Sequence, residues 1–187
     1  MNTGRICVFT SRGQLHSIKV MDLPFGKYKD KGVPIDNVSN YDSASESFVY
    51  VCDMGSVIMQ KLIFMTKRSM AKQVYGTEFD VTKRTVAATS LLEGDELISV
   101  CPVVDQNLVA LRTRDNVFIK FSIDEIPLKK KGAVGVRCMK LSLGDLVEEA
   151  FYIKEGVAMS CDLNGRKVEL NRLKTSRRDT KGSKIRG

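Results

Sequence analysis

Lysine and arginine at recurring turns are the residues of this sequence whose type and spacing could do chemistry. Arg12, Lys67, Arg68, Arg112 and Arg114 sit in short polar turns after apolar runs. Lys29, Lys31, Lys83, Arg84, Lys129, Lys130 and Lys131 sit in longer loops, and Arg172, Lys174, Arg177, Arg178, Lys181, Lys184 and Arg186 crowd the C-terminal end. Attraction to phosphate asks only that such side chains project onto one connected surface, because each contact releases condensed counterions. Taken singly, each is a solvated surface charge before it is anything else. Their recurrence at equivalent turns points to nucleic acid. The 187 residues carry 30 Lys and Arg against 22 Asp and Glu, a net charge of +8. Residues 166–187 hold nine of the basic residues and two acids, so seven of those eight charges lie there, and a polyanionic partner is favoured.

The materials for catalysis are few. His16 is the only histidine, so any His-based triad or His-rich metal site would have to be built around it. It reads as a packing or surface histidine, with a phosphate contact as the lesser alternative. The acidic pairs Asp95-Glu96 and Glu148-Glu149 could serve as metal ligands or acid/base carboxylates, but their repeated position predicts turn-forming residues. Five cysteines, Cys7, Cys52, Cys101, Cys138 and Cys161, are widely spaced with no CxxC or Cys/His cluster, which predicts buried thiols in a reducing compartment ahead of a disulfide framework or a zinc site. No phosphate-binding glycine loop or nucleophile elbow is present. No cofactor, metal or catalytic role is expected. No run orders charge, apolar core and small residues as a signal peptide does, and none approaches the ~18 apolar residues of a membrane span, so a soluble, cytoplasmic location is expected.

The elements that must position the basic residues are repeated. Ile6-Cys7-Val8-Phe9-Thr10-Ser11-Arg12-Gly13 aligns with Leu62 to Ser69, with Val109 to Asn116 and more loosely with Ala158 to Gly165, a period of about 50 residues. Gly94-Asp95 recurs as Gly144-Asp145, and a basic turn recurs at Lys31-Gly32, Lys83-Arg84, Lys131-Gly132 and Lys181-Gly182. Runs such as Val49-Tyr50-Val51-Cys52, Leu97 to Val100 and Val117 to Phe121 are short, β-branched or aromatic and bounded by turn residues, which predicts strands and almost no helix. The fold expected is all-β, a propeller-like array of four-stranded blades, partial or open, in one repeat domain. The blades fall at 4–54, 55–103, 104–153 and an incomplete 154–187. Val8, Phe64, Leu111 and Val157 are the expected core residues, and Asn37 to Glu46 the expected mobile loop.

These units resemble the C-terminal β-pinwheel domain of the A subunit of bacterial type IIA topoisomerases, DNA gyrase and topoisomerase IV. The first carries Phe9 to Gln14, then Leu23-Pro24 and Lys31-Gly32-Val33-Pro34-Ile35. The second carries Phe64 to Arg68, Glu78-Phe79 and Leu92-Glu93-Gly94-Asp95-Glu96-Leu97, and the third Lys120-Phe121, Glu125-Ile126, Gly135-Val136-Arg137 and Leu143-Gly144-Asp145. The resemblance covers essentially the whole chain. It implies strands exchanged between neighbouring blades and a basic outer rim that binds and bends duplex DNA without reading sequence. It also implies two partners, a separate catalytic core elsewhere in the A subunit, and an ATPase B subunit, with no membrane. Tyr28, Tyr41, Tyr50, Tyr75 and Tyr152 read as packing or loop residues, not the nucleophile of such a core. The gyrase members carry a Gln-Arg-Arg-Gly-Gly-x-Gly loop. The nearest string here, Ser176 to Gly182, lacks the glutamine and the paired glycines, which favours topoisomerase IV. The first unit resembles the family's second, implying another unit upstream. A propeller-like protein-interaction platform is the alternative function.

Overall fold

The computed structural model describes residues 4–185, so Arg186 and the end of the fourth expected blade lie outside it. The first unit supplies strands β1 (Arg5–Thr10), β2 (Gln14–Lys19) and β3 (Phe48–Asp53), followed by one short helix, α1 (Met54–Ile58). The second supplies β4 (Lys61–Thr66), β5 (Met70–Tyr75), β6 (Thr85–Ala87) and β7 (Leu97–Val103). The third supplies β8 (Leu108–Thr113), β9 (Val117–Ser122), β10 (Val136–Arg137) and β11 (Val147–Ile153), and the fourth β12 (Ser160–Leu163), β13 (Arg166–Glu169) and β14 (Ser183–Lys184). Strand dominates, as the short β-branched runs predict.

Each four-stranded sheet takes one strand from the unit that follows. The orders are β3-β1-β2-β6, β7-β4-β5-β10 and β11-β8-β9-β14, with β12-β13 as a lone hairpin. All of these strand pairs are antiparallel: Leu15 lies opposite Val86, Ala71 opposite Val136 and Phe118 opposite Ser183. The chain is a β-pinwheel, an open series of strand-exchanged blades.

The turn anchors explain how the exchange is held. Gly13, Ser69 and Asn116 adopt φ of 69°, 63° and 60°, the left-handed residue that closes a three-residue hairpin loop. Each carbonyl then accepts an amide from the next unit: Ala88 N at 2.8 Å, Cys138 N at 2.7 Å and Ile185 N at 3.0 Å. A Cβ on Gly13 would sit 2.7 Å from the Thr89 carbonyl oxygen, so that approach needs glycine. The fourth hairpin is tighter, with Asn164 and Gly165 both at positive φ in a two-residue loop.

The register also corrects the alignment of basic turns. Gly135 and Gly182, not Gly132 and Gly182, are equivalent: each precedes the exchanged strand, and a Cβ on either would meet the backbone of Ala71 or Phe118. Nothing lies within 4 Å of a Cβ on Gly132.

Strands with both faces covered read as continuous apolar runs, because alternate side chains point to opposite sheets. In β4, Leu62 and Phe64 pack toward the first blade with Phe9, Leu15 and Phe79, whereas Ile63 and Met65 pack toward the third with Val109, Leu111 and Phe121. The Phe9 ring meets Phe64 and Phe79 edge-on at 5.8 and 5.5 Å. Val8, Phe64 and Leu111 are buried as expected. Val157 is 49% exposed because it lies in the turn before β12, and Leu163 and Val168 fill the last core cluster instead.

Candidate nucleic-acid interface

The basic residues fall into two groups with different surroundings. Those at the hairpin turns are mostly engaged. Arg112 sits between Glu148 and Glu149, with N···O distances of 3.6 and 3.0 Å and a side chain 17% exposed. Arg114 donates to the Gly144 carbonyl, Lys67 pairs with Glu96 at 2.7 Å, and Arg12 reaches the Ser45 hydroxyl at 3.3 Å. Arg68 is exposed beside Gly94.

The residues of the longer loops and of the segments that cross to the preceding blade are more open. Lys29, Lys31, Lys83, Lys174, Arg177, Lys181 and Lys184 are exposed, and none of them forms an ion pair among the described residues. Arg84 approaches Asp22 at 3.3 Å, and Arg172 pairs with Glu169 at 2.7 Å. Lys130 stays 88% exposed while touching Glu78 at 3.4 Å, and Lys129 is half-buried. Lys131 turns inward and donates to the Glu78 carbonyl at 2.6 Å. Arg178 is half-buried, its guanidinium on the Arg137 carbonyl at 3.0 Å and its amide on Glu125. The tail is thus bound in place: Ser176 N donates to Lys120 O, and β14 pairs with β9.

Sequence reasoning missed several neighbours of this second group. Arg5 and Lys19 line a shallow groove with Lys83 and Arg84, and Arg5 also pairs with Asp80. Arg137 and Lys140 join Arg177, Arg178 and Lys181 around Asp179, whose carboxyl the Arg137 guanidinium holds below the usual range. The signal was available for Arg137 and Lys140, since they follow the Gly135-Val136 motif directly, but their juxtaposition with the tail depends on the pairing.

The residues weighed for catalysis serve the fold. His16 is buried, with Nδ1 3.0 Å from the Thr85 hydroxyl and Nε2 3.0 Å from Glu46. Asp95 Oδ1 accepts the amides of Arg68 and Glu96, and Asp145 Oδ1 those of Asp115 and Leu146, so the repeated Gly-Asp is a turn clasp. The five thiols are free, Cys7 and Cys138 fully buried and the others half-buried, and burial pushes Cys7 and Cys138 up to about 12. Tyr41, Tyr50 and Tyr152 pack, while Tyr28 and Tyr75 are exposed in loop or strand edge. Among the described residues no helix is long and apolar enough to cross a membrane.

Comparison with known proteins agrees with this fold. The family described as DNA gyrase C-terminal domain, beta-propeller, matches residues 60–103 and 113–154. The chain is 28% identical over 152 residues to the DNA gyrase A subunit of Lawsonia intracellularis, covering 80% of this chain and 18% of that protein. It is 30% identical over 139 residues to the DNA gyrase A subunit of Chlamydia pneumoniae, covering 73% and 17%. The chain therefore spans less than a fifth of the length of these curated relatives. Its fold matches the crystal structure of the C-terminal domain of DNA topoisomerase IV with a TM-score of 0.88 at 20% identity, over 98% of this chain and 59% of that one. It matches the E. coli ParC C-terminal domain at 0.83 and 14%, over 100% and 78%.

Proposed function

The chain belongs to the C-terminal domains of type IIA topoisomerase A subunits, and from that premise we propose that it is a non-catalytic module that binds and bends duplex DNA without reading its sequence. In this reading it positions DNA for a catalytic core elsewhere in the A subunit, which works with an ATPase B subunit in supercoiling or decatenation. The observation that carries it is the row of open lysines and arginines on the crossing segments of successive blades, Lys83, Lys130, Arg177 and Lys181 among them. Phosphate contacts from such a row fix register on a duplex and carry no base information.

The fully exposed aromatic side chains Phe25 and Tyr28 share one loop. Phe25, Tyr28 and Val33 lie in the first unit's crossing segment, which meets no hairpin among the described residues, whereas its counterparts Leu128 and Val136 lie on β5.

The test is fluorescence anisotropy on two unrelated duplexes across salt concentrations. Equal affinities are expected, falling about a thousandfold between 50 and 200 mM salt if about six phosphates are neutralised. A flat response to salt would replace this reading with the protein platform.

A further inference from the structure

Lys72 is 1% exposed, and phosphate binding cannot use it directly. It projects from β5 with its ammonium 5.7 Å from the Phe64 ring centroid. Its Nζ donates to three carbonyls of a single loop in the next unit: Lys130 at 3.0 Å, Lys131 at 2.5 Å and Ala133 at 2.8 Å. An ammonium has three donors, so the set is complete. Its neighbours finish the frame. Gln73 gives its side-chain amide to Ile126 O at 2.8 Å, its backbone carbonyl accepts Lys129 N at 2.8 Å, and Glu78 accepts Lys131 N at 2.9 Å.

The other junctions hold their crossing segments by related means, with Lys120 at the register position of Gln73 and not of Lys72. In the third blade the Lys120 side chain, 5% exposed as a residue, donates to Asn171 O at 2.7 Å, and the Lys120 carbonyl accepts the Ser176 amide at 2.8 Å, where the basic tail crosses. In the first, His16 takes the register position of Lys72 and meets Thr85, directly after Lys83 and Arg84. A buried nitrogen on the second hairpin strand thus holds each crossing segment that bears a basic cluster.

We propose that Lys72 is a positioning residue of the DNA interface, a buried latch that fixes the 129–133 loop so that Lys129 and Lys130 face phosphate on an ordered frame. The inference rests on the DNA-binding reading above. A loop ordered before binding loses less conformational freedom when it binds, so affinity gains without a new contact. Burial lowers the Lys72 ammonium to about 8, with Lys129 adding to the shift and Glu78 opposing it, so the latch stays charged at neutral pH.

The experiment compares the wild-type chain with Lys72→Met and Lys72→Arg by amide hydrogen exchange and by DNA anisotropy. In Lys72→Met the amides of residues 129–133 are expected to exchange about tenfold faster while those of β4 and β8 keep their protection. Affinity for both duplexes is expected to fall about threefold to tenfold, with a salt slope smaller by about one, and Lys72→Arg to restore part of each. Unchanged exchange at 129–133 would overturn the latch. Faster exchange with unchanged affinity and slope would overturn its role in binding. A wild-type chain that binds no duplex at all would defeat the DNA reading and this role together. Should Lys72→Met fail to fold, the wild-type Lys72 Nζ is read directly: a slowly exchanging ammonium resonance is expected, and its absence would sink the proposal.

Discussion

His16 Nε2 and Glu46 Oε1 lie 3.0 Å apart with their side chains 3% and 5% exposed. Glu46 also accepts the Thr10 hydroxyl at 2.5 Å and the Asp42 amide at 3.1 Å, so one carboxylate ties the 37–46 loop to both strands of the first hairpin. This loop, expected from its composition to move, is pinned by that carboxylate and by the Tyr41 hydroxyl on the Glu46 carbonyl. Removing the acceptor strands the buried Thr10 hydroxyl and His16 ring, while the Asp42 amide lies at the exposed surface. Glu46→Ala is expected to lower stability by about 3 kcal/mol in urea unfolding. A loss below about 1 kcal/mol would show that water replaces the carboxylate freely.

Gly135 and Gly132 offer a matched pair. Alanine at Gly135 would overlap the Ala71 backbone and push β10 off β5, whereas alanine at Gly132 meets open space. Gly135→Ala is expected to cost about 2 kcal/mol or more and Gly132→Ala to be neutral, by the same unfolding measurement. Equal effects would mean that the exchanged strand contributes nothing to the second blade.

The tail bears on the DNA site through its exposed members. Arg178 is engaged with Glu125 and Arg137, so the informative variant replaces Arg177, Lys181 and Lys184 by Ala and leaves Arg178. Both test duplexes are expected to weaken by the same factor, the salt slope to drop by roughly one for each phosphate no longer neutralised, and melting to change little. Unaltered binding would confine the interface to the crossing segments of the second and third units.

Alkaline pH should expose the buried thiols. Burial lifts Cys7 and Cys138 to about 12 and Cys52 and Cys101 to about 11, against an ordinary value near 9. A raised thiol keeps its proton in the folded state, so its contribution is complete below pH 9 and declines as pH climbs toward 11 to 12. Lys72 acts oppositely: with a folded value of about 8 and an ordinary value of 10.5, it adds stability as pH rises between them. Urea midpoints under reductant are expected to hold or rise slightly from about pH 8 to about pH 9, then fall. In Lys72→Met the early rise should vanish. Stability that keeps climbing to about pH 11 would contradict the thiol burial.

The repeat was legible because a left-handed hairpin residue restricts sequence. Gly13, Asn116 and Gly165 are residues that tolerate it, and Ser69 occupies the same position by alignment. The continuous apolar runs of β4 and β8 were legible because both faces are covered. The crossing strands were not. β6, β10 and β14 are two or three residues long, too short for any period, and their partners are set by Gly13, Ser69 and Asn116 carbonyls far back in the chain. The same distance hid the carboxylates around Arg112 and placed Lys131-Gly132 three residues out of register with Lys181-Gly182. Lys72, a lone basic residue in an apolar strand, carried no sign that its charge points inward.

The exchange of strands has a consequence for how the chain emerges during synthesis. The first sheet cannot close when its own unit has been made: it waits for Thr85 to Ala87, which follow the whole second hairpin. The second likewise waits for Val136 and Arg137, and the third for Ser183 and Lys184. The growing end therefore always displays a hairpin with an open edge, a surface on which foreign strands can pair. Translation that stalls between Tyr75 and Thr85 would leave two such edges at once, so aggregation of truncated products should peak for chains ending in that interval.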